Sequence, residues 1–223
     1  MFHRHNRVWL SAGGWQRAIQ TVSPAHAREL MRWAENDWPA VVRRSDPEPG
    51  KNILYLGLTA PPDQHTGAKV RIPFSVCTED IVRFGAPLAI IGAESALPLA
   101  WHSVFSELSD AATSSKLEFR VYGSAAMQAI TGLPYLGAAS DIDLLFYPLT
   151  NAQLHQGLNL LNLYAKRLPL DGEIVFPSGR AVAWKECAQA LENPDRARVL
   201  AKSLLRLDLV HVADLLAELE NPA

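Results

Sequence analysis

The chain has 223 residues, of which 48% are hydrophobic, and its formal net charge at pH 7 is −2. This length suits one large domain or two small ones, and the near-zero mean hydropathy is typical of a globular protein in water. The near-neutral charge argues against a nonspecific nucleic-acid binder. The apolar runs fall well short of the ~20 residues that cross a bilayer.

The N-terminal segment and the cysteines indicate a cytoplasmic protein. The opening MFHRHNRVWLSAGG contains only a brief apolar run, so we expect no signal peptide. Cys77 and Cys187 lie in apolar segments and have no metal-binding spacing. Such cysteines are typically buried free thiols in a reducing compartment.

The first part of the chain predicts a small, mostly antiparallel module. Alternating and β-branched residues indicate strands at residues 4–10, 40–44, 52–58 and 69–74. Gly13 and Gly14 are expected to end the first strand, and Ser23 caps a helix over residues 24–38. Acidic residues after Thr78 predict a short helix over residues 81–84.

A further helix is predicted over residues 95–108, with the polar residues 109–115 as a connection. We place the domain boundary in this connection. The prediction is an N-terminal α/β module at residues 1–110 and a catalytic domain with C-terminal helices at residues 111–223.

The centre of the chain combines a strand, a glycine turn and a helix. Residues 117–122 have strand character, and Gly123 and Ser124 interrupt them before the good helix formers of residues 125–130. Gly132 ends that helix. Glycine lets the backbone approach a ligand closely, and the N–H groups at a helix N-terminus attract phosphate. We therefore expect Gly123 and Ser124 to bind the phosphates of a substrate.

Two aspartates begin the next strand, which covers residues 141–146. Asp141 and Asp143 project from one face, because alternate residues of a strand do so. Two carboxylates at this range repel each other unless a cation lies between them. Mg²⁺ takes carboxylate and phosphate oxygens as ligands. A phosphate-binding turn beside an Asp-x-Asp metal site predicts phosphoryl or nucleotidyl transfer with Mg²⁺ as cofactor.

The last third of the chain predicts a helix, a hairpin and further helices. Thr150 or Asn151 caps a helix over residues 152–167. Residues 171–176 and 180–184 form the two strands of a hairpin. Leucines and valines at near-helical spacing predict one long helix or two short ones over residues 195–220.

The order of Gly-Ser, a helix and Asp-hydrophobic-Asp resembles the DNA polymerase β-type nucleotidyltransferase superfamily. Within it, VYGSAAMQAITGLPYL, SDIDLLF and DGEIVFPSGRAVAWKE resemble the malonate decarboxylase holo-(acyl-carrier-protein) synthase family, also called phosphoribosyl-dephospho-CoA transferase. The strong match covers residues 119–186, and RHNRVWL near the start is similar more loosely. The gap from Ser124 to Asp141 is longer than in minimal nucleotidyltransferases, which predicts a larger loop at residues 132–140 beside the site.

The resemblance implies an α+β fold, in which a small β-rich N-terminal module precedes a nucleotidyltransferase-type mixed sheet covered by helices. It also implies a third carboxylate on a strand beside the Asp-x-Asp strand. Asp171 is the first candidate and Glu173 the second, either as a metal ligand or as the acceptor of a proton. Arg180 and Lys185 are natural counter-charges for a triphosphate.

The resemblance implies the reaction as well. A phosphoribosyl-dephospho-CoA group would pass from 2′-(5″-triphosphoribosyl)-3′-dephospho-CoA to a serine of the apo acyl-carrier subunit of malonate decarboxylase, with release of diphosphate. One alternative keeps this chemistry and changes the acceptor to another protein or a small-molecule hydroxyl. A second alternative is a nucleotide-binding module without turnover, which the intact Asp-x-Asp pair disfavours. We expect neither a nucleic-acid nor a membrane partner.

Overall fold

The protein consists of two compact units. The structure, a computed structural model, describes residues 1–45, 50–63 and 66–220. The first unit comprises Met1–Pro87 with Leu204–Arg206, and the second comprises Leu88–Ser203 with Leu207–Ala223. Among the residues in these described ranges, no helix has both the length and the apolar character needed to cross a bilayer.

The first unit is built on an antiparallel sheet, as predicted, but the sheet has five strands where four were predicted. Its strands follow the order β4-β3-β2-β1-β5. They are β1 (Arg7–Leu10), β2 (Ala40–Val42), β3 (Ile53–Thr59), β4 (Arg71–Cys77) and β5 (Ile81–Gly85). The same unit contains two α-helices, α1 (Ala12–Gln20) and α2 (Pro24–Glu35), and Ser23 caps α2 as predicted.

Two local predictions in the first unit were wrong. Gly13 and Gly14 do not end an element but lie in the first turn of α1, where the Ser11 hydroxyl accepts a hydrogen bond from the Gly14 N–H at 3.0 Å. Residues 81–84 belong to the strand β5 rather than to a helix. Pairing with β1 over Arg7–Leu10 decides this, because the backbone bonds of a sheet override a weak local helix signal.

The second unit is built on a seven-stranded mixed sheet, which confirms the α+β class. Its order is β12-β11-β10-β9-β8-β7-β6, and only β8 and β9 are parallel among the strand pairs of the described sheet. The strands are β6 (Leu88–Ala89), β7 (Glu118–Val121), β8 (Ile142–Tyr147), β9 (Leu170–Val175), β10 (Ala181–Ala183), β11 (Arg198–Lys202) and β12 (Leu207–His211).

Helices cover one face of this sheet. They are α3 (Leu99–Ser114), α4 (Gly123–Thr131), α5 (Asn151–Tyr164), α6 (Trp184–Ala190) and α7 (Val212–Glu220). Side chains from α3, α4, α5 and α7 share one buried cluster with alternate residues of the strands, such as Phe119, Phe146 and Val199. Helix α5 provides the crossover that two parallel neighbours require. Asp143 and Asp171 belong to the other face, on which Leu145 and Glu173 are also buried.

The C-terminal prediction was wrong over residues 198–211. The chain forms the hairpin β11–β12 there, and a helix begins only at Val212. Buried Val199 and Ala201 alternate with more exposed neighbours, which is strand periodicity. This segment contains so many leucines that their spacing also fits the periodicity of a helix.

The division between the two units also differs from the boundary placed after residue 110. The structure divides the chain after Pro87, because β6 pairs with β7 and α3 packs in the core of the second unit. The polar residues 109–115 are not a connection. Most of them form the last turn and a half of α3, whose side chains Ser109 and Ala112 are buried.

Candidate functional site

Three carboxylates gather at the start of the two parallel strands. Asp141 immediately precedes β8, Asp143 is its second residue, and Asp171 is the second residue of β9. The register aligns Asp143 with Asp171. One carboxylate oxygen from each of the three aspartates lies within 4.8 Å of the other two. Asp141 is exposed and the other two are half-buried, so a ligand can reach all three from solvent.

Gly172 allows β9 to lie this close to β8. Its φ is +135°, and a Cβ atom at this position would lie 1.9 Å from the carbonyl oxygen of Leu144. No side chain fits between the two backbones here, so the glycine fixes how near Asp171 comes to Asp143. This role was missed in the sequence, although a glycine inside a strand is a known sign of close backbone approach.

The glycine turn lies directly against the carboxylates. Gly123 has φ +65°, and a Cβ atom on it would lie 2.1 Å from Oδ2 of Asp143. The N–H of Tyr122 donates a hydrogen bond of 3.1 Å to the backbone oxygen of Asp143. Gly123 and Ser124 begin α4, and the side chain of the capping residue Tyr122 makes no capping hydrogen bond. The positive end of a helix and a carboxylate cluster are thus adjacent.

Glu173 lies outside the three-carboxylate group. It is 4% exposed and accepts a hydrogen bond of 2.8 Å from Nζ of Lys202 on β11. A buried carboxylate of this kind needs its counter-charge. Of the two candidates for a third carboxylate, the geometry favours Asp171.

The two predicted cations occupy different places. Nζ of Lys185 lies 3.4 Å from Oδ1 of Asp171, so this lysine is at the carboxylates. Arg180 instead pairs with Glu218 of α7 through its Nε at 3.1 Å. It stands beside Phe176, at the end of β9 opposite Asp171. Five residues of strand separate these ends by roughly 16 Å, so the structure places Arg180 in an ion pair away from the carboxylates, and its contact with substrate stays a prediction.

Gln128 holds the loop that leads to Asp141. Its Oε1 accepts hydrogen bonds from the N–H groups of Tyr135 and Leu136 at 2.8 and 2.9 Å. Its Nε2 donates to the carbonyl oxygen of Ala96 at 2.6 Å. The side chain thereby ties α4, which starts at Gly123, to the loop after Gly132. No sequence signal marked this residue, because its partners lie in irregular segments before and after it.

The arrangement suits a hard divalent cation and a phosphate ligand. Oxygen donors at this spacing are the ligands that Mg²⁺ prefers, and three such groups repel one another without a counter-charge. The exposed Lys185 offsets only part of their charge, since it is 58% exposed and 3.4 Å away. Asp141, Asp143 and Asp171 therefore fit Mg²⁺ as a group.

Comparison with known proteins assigns both units of the chain to one family. Family models match residues 3–87, described as the N-terminal domain of phosphoribosyl-dephospho-CoA transferase MdcG, and residues 88–213, described as its C-terminal domain. The junction of the two matches falls where the structure divides into units. No solved structure matches the chain significantly.

Curated relatives resemble the chain over most of its length. A phosphoribosyl-dephospho-CoA transferase of Xanthomonas campestris pv. campestris is 38% identical over 92% of this chain and 97% of its own. One from Xanthomonas euvesicatoria pv. vesicatoria is 34% identical, covering 91% of both chains. One from Bradyrhizobium diazoefficiens is 29% identical over 93% of this chain and 89% of its own. The chain belongs to the phosphoribosyl-dephospho-CoA transferase family, and it is a transferase.

Proposed function

We propose that the protein transfers a phosphoribosyl-dephospho-CoA group from 2′-(5″-triphosphoribosyl)-3′-dephospho-CoA to a serine of the apo acyl-carrier subunit of malonate decarboxylase. The observation that carries this proposal is the three-carboxylate group beside the N-terminus of α4. The serine oxygen forms a bond to the α-phosphorus of the donor. The bond from that phosphorus to the β-phosphate oxygen breaks, and diphosphate leaves.

Gly123 and Ser124 bind the triphosphate in this proposal. Gly123 has no side chain, so the Asp143 carboxylate lies directly against its backbone, and the N–H groups of the first turn of α4 bind the phosphates beside this carboxylate. The Ser124 hydroxyl donates to a phosphate oxygen. These contacts hold the α-phosphorus next to Asp143, because Gly123 lies directly against that carboxylate.

Asp141, Asp143 and Asp171 would hold Mg²⁺, which when bound supplies charge neutralisation on the leaving diphosphate and a lower pKa for the incoming hydroxyl. Asp171 is half-exposed on the side of Asp143 that faces away from Gly123. It receives the proton of the serine hydroxyl in the proposed reaction. Lys185, at 3.4 Å, orients the Asp171 carboxylate and adds positive charge near the phosphates.

Intact mass spectrometry tests the proposal. The apo acyl-carrier subunit is incubated with the protein, Mg²⁺ and the triphosphoribosyl donor. We expect a mass gain equal to the donor minus diphosphate. In the Asp141→Asn variant the rate of this gain should fall at least ~10²-fold, by analogy with the loss of one electrostatic stabiliser.

Asp110→Asn is the matched control, since Asp110 is an exposed aspartate on α3. It should retain the wild-type rate. Wild-type protein that leaves both donor and carrier unchanged would refute the assigned acceptor. An equal gain with the Asp141 variant would keep the substrates and refute the role given to Asp141.

A further inference from the structure

Of the three grouped carboxylates, Asp141 is the one that stands outside the sheet. Asp143 and Asp171 are strand residues, and the parallel register of β8 and β9 fixes their backbones. Asp141 is exposed and precedes β8, so the strand pairing does not hold it directly. The position of its carboxylate therefore depends on the residues that come immediately before and after it in the chain.

The residue after Asp141 is firmly held. The N–H of Ile142 donates a hydrogen bond of 2.8 Å to the carbonyl oxygen of Pro169, which lies just before β9. The Ile142 side chain is fully buried in the core of the second unit. Asp141 therefore has a fixed neighbour on its C-terminal side.

The residue before Asp141 closes a tight turn. The N–H of Gly137 donates to Oγ of Ser140 at 2.9 Å, and the N–H of Ser140 donates to the carbonyl oxygen of Gly137 at 3.0 Å. The two residues between them are exposed alanines, which have no polar side-chain atoms. The short side chain of serine suits this role, because its hydroxyl reaches the backbone of nearby residues. Residues 137–140 are called the 137–140 turn below.

The chain is anchored again just before this turn. Oε1 of Gln128 accepts from the N–H groups of Tyr135 and Leu136, and the Tyr135 side chain is 1% exposed. The 137–140 turn thus begins directly after an anchored residue and ends directly before Asp141. Any freedom in the path from Leu136 to Ile142 is confined to the turn, and the Ser140 hydroxyl restrains it there.

We propose that Ser140 is a positioning residue for metal binding. By closing the 137–140 turn, it holds the Asp141 carboxylate where one divalent cation can bind Asp141, Asp143 and Asp171 together. The inference rests on the proposed function, because it takes Asp141 as a ligand of Mg²⁺. Ser140 acts through Asp141 and does not itself touch the cation.

The size of the effect follows from what the turn keeps. Loss of a residue that orients a metal ligand typically costs about 10–100-fold in metal affinity. The backbone hydrogen bond from Ser140 to Gly137 remains when the hydroxyl is removed. We therefore expect the lower end of this range, about tenfold.

The test compares substitutions that remove or retain the hydroxyl. Ser140→Ala deletes the acceptor of the Gly137 N–H, whereas Ser140→Thr keeps a hydroxyl at the same place. Ser114→Ala is the matched control, because Ser114 is an exposed serine at the last residue of α3. Mg²⁺ affinity is measured by calorimetry without donor or acceptor, and circular dichroism gives the Tm of each variant.

We expect Ser140→Ala to raise the Kd for Mg²⁺ about tenfold. Ser140→Thr and Ser114→Ala should bind Mg²⁺ as the wild type does. An unchanged Kd in Ser140→Ala would overturn the proposal. A Ser140→Thr variant as weak as Ser140→Ala would overturn the role of the hydroxyl.

A second background separates positioning from a general effect on the fold. In Asp141→Asn protein, whose site retains Asp143 and Asp171, adding Ser140→Ala should not raise the Kd for Mg²⁺ further, because the carboxylate that it positions is already gone. Any loss of Tm caused by Ser140→Ala should be the same in both backgrounds. An equal rise of the Kd in both backgrounds would show that Ser140 does not act through Asp141 and would overturn the proposal.

These titrations also separate the inference from the proposed function, because they need neither substrate. Wild-type protein that binds Mg²⁺ but transfers nothing to the carrier would refute the proposed reaction, while the variants would still decide the role of Ser140. Wild-type protein that does not bind Mg²⁺ would refute the metal role of the three carboxylates and overturn this inference with it.

Discussion

Replacing Gly172 by alanine should disturb the fold and the site together. The added Cβ atom would lie 1.9 Å from the Leu144 carbonyl oxygen and 2.6 Å from the Leu144 nitrogen. Both atoms belong to the backbone of β8, so a change of side-chain rotamer cannot relieve the clash. The strands must move apart until the 1.9 Å approach becomes a contact of about 3.4 Å. Asp171, the preceding residue, moves with β9 away from Asp143.

The expected loss can be estimated from two contributions. Overpacking in a close-packed interior costs about 1–3 kcal/mol. Placing a Cβ-bearing residue at φ +135° adds roughly 1–3 kcal/mol of backbone strain. At about 2–4 °C per kcal/mol for a chain of this size, Tm should fall by roughly 5–20 °C. A misplacement of ~1 Å between catalytic groups can cost on the order of 10²-fold in rate.

Thermal unfolding by circular dichroism and diphosphate release at low temperature measure the two effects. Gly132→Ala controls for backbone strain alone, since Gly132 has φ +70° and no atom within 4 Å of the added Cβ. Its cost should be about 1–2 kcal/mol. Gly137→Ala, which also meets no atom within 4 Å, should be neutral. A Gly172→Ala variant with the Tm and rate of Gly137→Ala would refute the close-approach argument.

Three further predictions follow from the side chains around the site. Lys185→Ala should lower the rate and leave Tm unchanged, because the lysine lies at the carboxylates and is 58% exposed. Arg180→Ala should lower Tm and leave the rate unchanged, because it breaks the ion pair with Glu218. The reverse pattern in the same two assays would support a substrate contact for Arg180. Gln128→Ala removes three hydrogen bonds, so the free energy of unfolding should fall by about 2–3 kcal/mol and Mg²⁺ binding should weaken in calorimetry. Unchanged Mg²⁺ affinity would limit Gln128 to stability. Burial raises the pKa of the Cys187 thiol to about 12, so iodoacetamide at pH 8 should label the half-buried Cys77 first. Peptide mass spectrometry that shows Cys187 labelled first would contradict this prediction.

The central strand-turn-helix and the strand after it were predictable because their signals are local. Gly123 interrupts a run that contains β-branched and aromatic residues, good helix formers follow, and alternate aspartates open the next strand. Each signal lies within one or two turns of the residue it describes. Backbone geometry then fixes the outcome with little help from distant contacts, so sequence and structure agree here.

Features that depend on distant partners were not predictable. In the sequence no acidic residue near Arg180 marks it as part of an ion pair, yet its guanidinium pairs with Glu218, thirty-eight residues later. The hairpin over residues 198–211 was predicted as helix, because its leucines are frequent enough to match helical periodicity as well as strand periodicity. The closeness of Gly172 to Leu144 arises only when two strands on either side of α5 pair in parallel.

The two faces of the large sheet are under different evolutionary constraints. Core side chains such as Phe146 and Val199 pack against helices on one face, while Asp143 and Asp171 belong to the other. Adjacent residues of a strand point to opposite faces, so at the start of β8 the core residues Ile142 and Leu144 alternate with the site residues Asp141 and Asp143. Core positions can therefore adapt to temperature while their immediate neighbours keep the carboxylates of the site, with little interference between the two.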